Sequence, residues 1–290
     1  MSIPIFTKKQ NIAPDNEKFL QSINQCLAKP IRSLWYSGLL PAERKTCVAV
    51  VGTRKPTTYG REVTYRLSYE LASRGIIIVS GLALGIDGIA HQAALDAGGT
   101  TIAILPTSLD DIYPFSHRGL AKRIIENGGA LITEYDGEGP AYKGNFIARN
   151  RIVSALSDGL LITEAAERSG TSTTAGFALE QGKPVMAVPG NITSPMSIGC
   201  NNLIQRGAKV ITCVEDILEE IGLTSQAQAK LPLAYSPEQK IILDLLSAGL
   251  RDGDELQKQS DLEPSTFSQT LTMLEIEGKV RPLGANQWGL

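Results

Sequence analysis

The sequence of 290 residues contains few of the side chains from which metal sites and disulfide frameworks are built. Its four cysteines are scattered without a CxxC pair, and its two histidines, His91 and His117, stand apart from them. No stretch approaches the roughly 20 apolar residues of a membrane span, and no apolar run follows the first charges near the N-terminus. We therefore expect no bound metal, free thiols in a reducing compartment, no membrane segment and a cytoplasmic location.

Two nucleotide-binding signatures are also missing, namely GxGxxG and GxxxxGK followed by Ser or Thr. Bound NAD or ATP is therefore not expected, and no cofactor is predicted. The formal net charge of -2 excludes a protein that coats nucleic acid through bulk positive charge. Any binding of nucleic acid has to come from a local patch of Lys and Arg side chains.

The middle of the chain predicts an α/β domain. From Thr46 to about Ile221, short β-branched runs alternate with helix-length amphipathic segments, a pattern typical of strand–helix units around a parallel sheet. Continuous apolar runs such as Ile76–Val79 favour strands covered on both faces, so the expected fold is a Rossmann-like, doubly wound domain over residues 46–221. The predicted strands are Cys47–Val51, Ile76–Ser80, Thr101–Leu105, Leu131–Thr133, Leu160–Thr163, Val185–Val188 and Lys209–Thr212.

Three further segments flank this domain. Residues 1–45 have a polar start and one helical piece, which predicts a short helical appendage. Residues 222–235 collect Gly, Ser, Gln and Pro and predict a linker. Residues 236–290 predict three helices followed by a hairpin, the element order of a small winged-helix domain, with Ser236 and Pro237 as a helix start.

The turns that follow the predicted strands are the first candidates for a binding site, because ligands of open α/β sheets bind beyond the carboxyl ends of the strands. Gly52, Thr53 and Arg54 offer a close backbone approach, a hydroxyl and a planar guanidinium for phosphate oxygens. Ser169–Thr173 places small hydroxyl side chains at a helix start, which favours anions. The turn at Gly81 is either a third anion contact or a tight turn required only by the fold.

The basic segment Ala141–Arg151 combines positive and aromatic side chains and contains no acidic residue. Tyr142 and Phe146 stand among Lys143, Arg149 and Arg151. Single-stranded nucleic acid needs both groups, because each phosphate carries a charge and each exposed base has a face to stack. Phe146 is accordingly either a stacking platform or an ordinary core residue at the head of a helix.

No set of catalytic side chains accompanies these turns, and the protein is not expected to be an enzyme. Glu134, Glu164 and Glu167 follow strands and could act as acid or base, but no nucleophile, metal cluster or partnered histidine stands with them. Asp87 and His91 are four residues apart on a predicted helix and could face each other, which favours a structural pair.

A series of spaced motifs between about residues 47 and 212 resembles the DNA-processing A (Smf) family. They are Val48–Arg54, Ser80–His91, Tyr113-Pro114, Phe146–Ile152, Glu164 with Ser169–Thr171, Ala187–Gly190 and Gly199–Ala208. The resemblance implies a homodimer that binds single-stranded DNA on its Rossmann-like domain, protects incoming DNA and helps load a RecA-type recombinase in natural transformation or recombination. It implies a dimer surface near Asn201–Val210 and DNA contacts at Gly52, Thr53, Arg54, Lys143, Phe146, Arg149, Asn150, Arg151, Ser169, Gly170 and Thr171.

The sequence departs from the family pattern at both ends. Many members have a complete N-terminal helical domain, for which residues 1–45 are too short. The expected recognition helix of the winged unit, Pro264–Glu277, has two glutamates and no Lys or Arg, so reading of a DNA groove by this helix is not expected.

Two other functions are alternatives. The same fold resembles nucleoside-monophosphate phosphoribohydrolases with the signature PGGxGTxxE, of which Ala166–Thr174 keeps only Gly170-Thr171. The second alternative is a transcription regulator that senses a nucleotide and binds duplex DNA through the winged helix.

Overall fold

The computed structural model describes residues 9–137, 142–167, 169–223, 236–276, 279–284 and 286–289, without the side chains at positions 143, 276, 281, 283 and 284. The chain divides into two compact units, with the boundary between residues 226 and 227. Within the described residues, no helix is long and apolar enough to cross a membrane.

The first unit alternates strands and helices through most of its length. In chain order its elements are β1 (Gln10–Ile12), α1 (Gln21–Cys26), β2 (Leu34–Gly38), β3 (Cys47–Val51), α2 (Thr58–Ser73), β4 (Ile77–Ser80), α3 (Ile86–Asp96), β5 (Thr101–Ile104), α4 (Arg118–Glu126), β6 (Ala130–Thr133), α5 (Lys143–Leu156), β7 (Gly159–Ile162), α6 (Thr171–Glu180), β8 (Val185–Ala187), α7 (Ile198–Gln205), β9 (Lys209–Val210) and α8 (Val214–Glu220). Each of the predicted strands is present, with bounds that differ by at most two residues.

The strands form one mostly parallel sheet in the order β1-β2-β6-β5-β4-β3-β7-β8-β9. Every neighbouring pair from β6 to β9 is parallel, whereas β1 and β2 pair antiparallel at the β6 edge. The chain starts the parallel part with β3 in the middle, adds β4, β5 and β6 on one side, and then returns to add β7, β8 and β9 on the other. The strand order therefore reverses between β3 and β7.

Helices cover both faces of the sheet, because successive side chains of a strand point to opposite faces. In β3, Cys47, Ala49 and Val51 belong to the core on the side of α5 and α6, whereas Val48 and Val50 belong to the core on the side of α2 and α3. All five residues are buried. Burial on both faces explains the unbroken apolar runs and confirms the doubly wound fold.

The N-terminal segment is more closely integrated than a helical appendage. Its one α-helix, α1, lies within the predicted helical piece, but β2 pairs with β6 and extends the sheet. Phe19, Leu20 and Ile23 are fully buried in the core shared with α5. The sequence pattern does not predict β2, because Leu34–Gly38 is a single short segment without a strand–helix repeat around it.

The second unit confirms the predicted winged helix. It contains α9 (Pro237–Ser247), α10 (Gly253–Ser260), α11 (Pro264–Ile276) and the hairpin of β10 (Arg281–Gly284) and β11 (Gln287–Gly289). Ser236 caps α9 as expected, since its hydroxyl accepts a hydrogen bond from the Gln239 amide at 3.3 Å. The unit has its own apolar core, against which Trp288 packs. Most of the predicted linker, residues 224–235, lies outside the described residues.

We predict that the two units unfold in separate transitions, because each has its own core. The chain has two tryptophans, and Trp35 packs in the first unit whereas Trp288 packs in the second. Fluorescence of Trp288→Phe protein then reports the first unit, and fluorescence of Trp35→Phe protein reports the second. Urea titrations should show the smaller unit unfolding at lower denaturant concentration, since a small domain buries a smaller fraction of its surface. Coincident transitions for both variants would contradict this expectation.

Candidate nucleic-acid interface

The candidate site lies where the strand order reverses. Because β3 is parallel to both β4 and β7, the turns after these three strands lie side by side at one edge of the sheet. Such a reversal leaves a crevice between the outgoing loops, and in open α/β sheets it is the usual ligand position. The predicted turns Gly52–Arg54 and Ser169–Thr171 therefore face the same crevice.

Gly52 makes the first of these turns possible. A Cβ atom at this position would lie 2.6 Å from Cγ1 of Ile86 and 2.7 Å from the Glu164 carbonyl oxygen, so no other side chain fits. The next amide, that of Thr53, donates to the Glu164 carbonyl at 2.8 Å and ties the turn after β3 to the segment after β7. The Thr53 hydroxyl accepts from the Lys55 amide at 3.2 Å, which leaves the hydroxyl proton available for an anion.

The turn at Gly81 is fixed from both sides by charged groups. Its amide donates to Asp87 Oδ2 at 3.1 Å, and its carbonyl accepts from Nη1 of Arg149, which also donates to the Ile104 carbonyl. Arg149 is only 4% exposed. Burial lowers the pKa of Arg149 to about 10 and raises the pKa of Asp87, while the attraction between the two charges opposes both shifts. The hydrogen bonds of Arg149 thus join α5 to the ends of β4 and β5, and Asp87 joins the start of α3 to the same turn.

Arg54 and Phe146 form the mixed cationic and aromatic part of the site. The Arg54 guanidinium lies over the Phe146 ring, 5.4 Å from its centroid. Tyr113 meets the same ring edge-on, with centroids 5.3 Å apart and planes at 80°. Phe146 is half-buried, and Tyr113 is 46% exposed. The phenylalanine is therefore a partly open ring in an aromatic pair, and Tyr113 is a member of the site that sequence reasoning used only as a family motif.

The start of α6 contributes hydroxyl and amide groups. Gly170 precedes the helix and is exposed, Thr171 is its first residue, and Ser169 stands just outside. Among the described residues, the buried Ser169 Oγ has no hydrogen-bond partner. The amides of Ser172 and Thr173 donate to the Ser169 and Gly170 carbonyls at 3.2 Å, but the positive end of the helix dipole still makes this end of α6 favourable for an anion.

These groups line two adjoining depressions. The central cleft, of about 220 Å³, is lined by Val51, Gly52, Thr53, Arg54, Ala83, Asp87, Arg149, Asn150, Ser169, Gly170, Thr171 and Thr174. The aromatic cleft is lined by Arg54, Tyr113, Phe146, Ile147, Arg149, Asn150, Gly170 and Thr173. Four residues belong to both, namely Arg54, Arg149, Asn150 and Gly170. Nine of the eleven predicted DNA contacts therefore line one connected surface.

The basic residues of α5 take three different places. Arg149 is held in the sheet edge, and Asn150 faces both clefts. Arg151 instead pairs with Glu134, with its Nη2 at 2.5 and 2.7 Å from the two carboxylate oxygens, and lines neither cleft. Lys143 is the first residue of α5, but its side chain lies outside the described residues.

Two of the three carboxylates that sequence reasoning considered as acid or base, Glu134 and Glu164, are engaged elsewhere. Glu164 is 2% exposed and accepts from both the amide and the hydroxyl of Thr57, at 2.8 and 2.5 Å. The expected contact between Asp87 and His91 is wrong in detail: Asp87 binds the Gly81 turn, whereas Nδ1 of the fully buried His91 lies 2.7 Å from the Thr101 hydroxyl. Burial lowers the pKa of His91 to about 3.

Comparison with known proteins agrees with this architecture. The sequence profile of the family described as DNA recombination-mediator protein A matches residues 10–222, and that of the DprA winged helix domain matches residues 214–286. Protein Smf of Escherichia coli K12 is 45% identical over 210 residues, which cover 72% of this chain and 56% of that protein. DNA processing protein DprA of Bacillus subtilis 168 is 43% identical over 183 residues, 63% of this chain and 61% of that protein. The chain thus spans less than two thirds of these relatives.

Two solved structures share the fold of the first unit. DNA processing protein A from Helicobacter pylori, described for its unique single-stranded DNA binding mode, superposes with a TM-score of 0.66 at 33% identity, over 75% of this chain and 97% of that one. DNA processing protein A from Streptococcus pneumoniae superposes with a TM-score of 0.67 at 35% identity, over 74% of this chain and 75% of that one.

Replacing Arg149 with Met should lower the free energy of unfolding by about 3 to 5 kcal/mol, because two buried carbonyl groups lose their donor and the buried Asp87 loses a compensating positive charge nearby. Without its cation, Asp87 has a still higher pKa in the folded state. The folded variant then binds the proton more tightly than the folded wild type does, so the deficit grows as the pH rises through the interval between their two Asp87 pKa values.

Urea titrations near neutral pH and at about pH 5 measure this difference. Arg151→Met, which breaks the partly exposed ion pair with Glu134, should lower the free energy of unfolding by about 1 kcal/mol or less. The double variant Asp87→Asn/Arg149→Met should lose the added pH dependence. An Arg149→Met deficit that is equal at both pH values would disprove the coupling to Asp87.

Proposed function

Since the chain belongs to the DNA recombination-mediator protein A family, we propose that it binds single-stranded DNA in the central and aromatic clefts. The observation that carries this proposal is the position of Arg54, an exposed cation that lines both clefts and lies over the Phe146 ring. A phosphate and its neighbouring base need these two kinds of group side by side.

The phosphates bind in the central cleft. The Gly52–Arg54 turn supplies a guanidinium and a hydroxyl, and the start of α6 supplies the Ser169 hydroxyl and the positive end of the helix dipole. Bases stack in the aromatic cleft, where Phe146 and Tyr113 expose parts of their rings. Arg149 acts as a positioning residue, because its hydrogen bonds to the Gly81 and Ile104 carbonyls hold α5 in place. Lys143, at the start of α5, remains a proposed phosphate contact.

The protein acts by binding and catalyses no reaction. The engagement of Glu164 by Thr57 and of Glu134 by Arg151 supports this part of the proposal, because both carboxylates lack a free oxygen for proton transfer. It also makes the phosphoribohydrolase alternative less favourable. The regulator alternative is disfavoured by α11, which has no Lys or Arg to contact a duplex.

The cellular role is to protect incoming single strands in the cytoplasm and to help load a RecA-type recombinase, in natural transformation or recombination. The description of the family as a recombination mediator supports this role. The protein acts as a homodimer through the sheet edge at β9. Two observations support the dimer: β9 is the last strand of the sheet, and Val210 and Leu179 are 39% and 65% exposed.

Removing a charge and removing a ring should have different effects on binding. Arg54→Ala should weaken binding of all single strands and reduce the slope of log affinity against log salt by about 0.7, because one fewer counterion is released. Phe146→Leu should cost about 1 to 3 kcal/mol with the slope unchanged, because stacking releases no counterion. Fluorescence anisotropy with labelled oligonucleotides over a range of salt concentrations measures both quantities.

Arg74→Ala is the matched control for charge, since Arg74 follows α2 at the opposite edge of the sheet and pairs with Glu215 at 2.7 Å. It should leave both the affinity and the slope unchanged. If Phe146→Leu lowers thermal stability but keeps full affinity, Phe146 is a core residue and its stacking role is wrong.

A protein that ends at residue 223 should retain most of the single-strand affinity of the full chain, because the proposed contacts all lie in the first unit. The same anisotropy experiment measures the affinity, and circular dichroism checks that the truncated protein is folded. Loss of most of the affinity in a folded truncation would place part of the site in the winged unit.

A further inference from the structure

A third depression continues the central cleft on the side away from Phe146. This α2 cleft is lined by Arg54, Arg61, Tyr65, Leu84, Gln92 and His117, together with residues of the turn before α3. It shares Arg54 with both other clefts. The three clefts therefore meet at one exposed arginine.

From this cleft a stripe of side chains runs along α2. Arg61, Tyr65 and Tyr69 are spaced by four residues, so they lie on one face of the helix over roughly 12 Å. Tyr65 and Tyr69 are 40% and 41% exposed, and their rings lie 6.1 Å apart with planes at 22°. The stripe thus presents a cation followed by two nearly parallel, accessible rings.

The Asp96 carboxylate keeps the Tyr65 ring in place. Its hydroxyl donates to Asp96 Oδ2 at 3.1 Å. The same carboxylate accepts from Gln92 Nε2 at 2.5 Å and lies 3.5 Å from Nη2 of Arg123, so its charge is compensated. Arg61 is exposed and, among the described residues, makes no ion pair. A ring held in this way loses little conformational entropy when a base stacks on it.

We propose that the α2 stripe extends the DNA site: a single strand that leaves the central cleft past Arg54 crosses Arg61 and stacks bases on Tyr65 and Tyr69. The inference rests on the proposed function, because it assigns the path of the same strand. A single strand fits this surface better than a protein partner does, because the stripe is continuous with the anion-binding cleft through Arg54 and begins with an unpaired cation. Aromatic faces beside cations are what a flexible polyanion with planar bases requires.

The experiment compares Tyr65→Leu/Tyr69→Leu protein with the wild type on oligothymidylates of about 4 to 16 nucleotides. Wild-type affinity should rise with length until the strand covers the stripe. The double variant should bind the shortest measurable strands as the wild type does and the long strands about 5- to 100-fold more weakly. Equal affinity of the two proteins at every length, or an equal loss at every length, would overturn the inference.

Two variants control for the fold and for the ring itself. Tyr65→Phe/Tyr69→Phe keeps both rings and should retain the wild-type dependence on length. Tyr59→Leu removes a ring of similar exposure, 45%, from another face of α2. This variant should also retain the wild-type dependence of affinity on length. A change in sedimentation without a change in DNA affinity would assign the stripe to a protein interface and overturn the inference. If the wild type binds no single strand of any length, the proposed function itself fails.

Discussion

One buried cation determines how the carboxyl edge of the sheet is organised. Arg149 satisfies the carbonyl groups of Gly81 and Ile104, which lie where β4 and β5 leave the sheet. A buried guanidinium is tolerable only when it is hydrogen-bonded and its charge is compensated, and the negative charge of Asp87, which accepts from the amide of the same turn, provides that compensation. The helix that carries Arg149 is thereby held against the sheet, with Phe146 and Asn150 directed at the clefts.

The distribution of charge explains how a chain with 28 basic and 30 acidic residues can have a site for a polyanion. Several basic side chains are engaged in internal pairs, as Arg151 is with Glu134 and Arg74 is with Glu215. Within the described part of the chain, Arg54 and Arg61 make no such pair. Both arginines line the connected clefts, so they provide a local positive patch on a chain whose net charge is slightly negative.

The sequence was sufficient to predict the parallel strands β3 to β9 and the turns that follow them, but not β1, β2 or the direction of each side chain. β-Branched runs locate buried strands such as β3, and parallel pairing brings the turns after them to one edge. Arg149, Asn150 and Arg151 look alike as candidates, yet successive residues of a helix point about 100° apart. Arg149 donates to carbonyl groups at the sheet edge, Asn150 faces the clefts, and Arg151 pairs with Glu134. Their orientation depends on how α5 packs, which periodicity alone does not specify.

The contact between Arg54 and Phe146 has a consequence for the energetics of stacking. The guanidinium lies over the ring, so this aromatic face is occupied by a cation. A base that stacks on this face, as proposed, has to displace a cation–π contact worth about 0.5 to 1 kcal/mol at an exposed site. The proposed binding is then an exchange of partners, in which Arg54 leaves the ring and turns toward a phosphate.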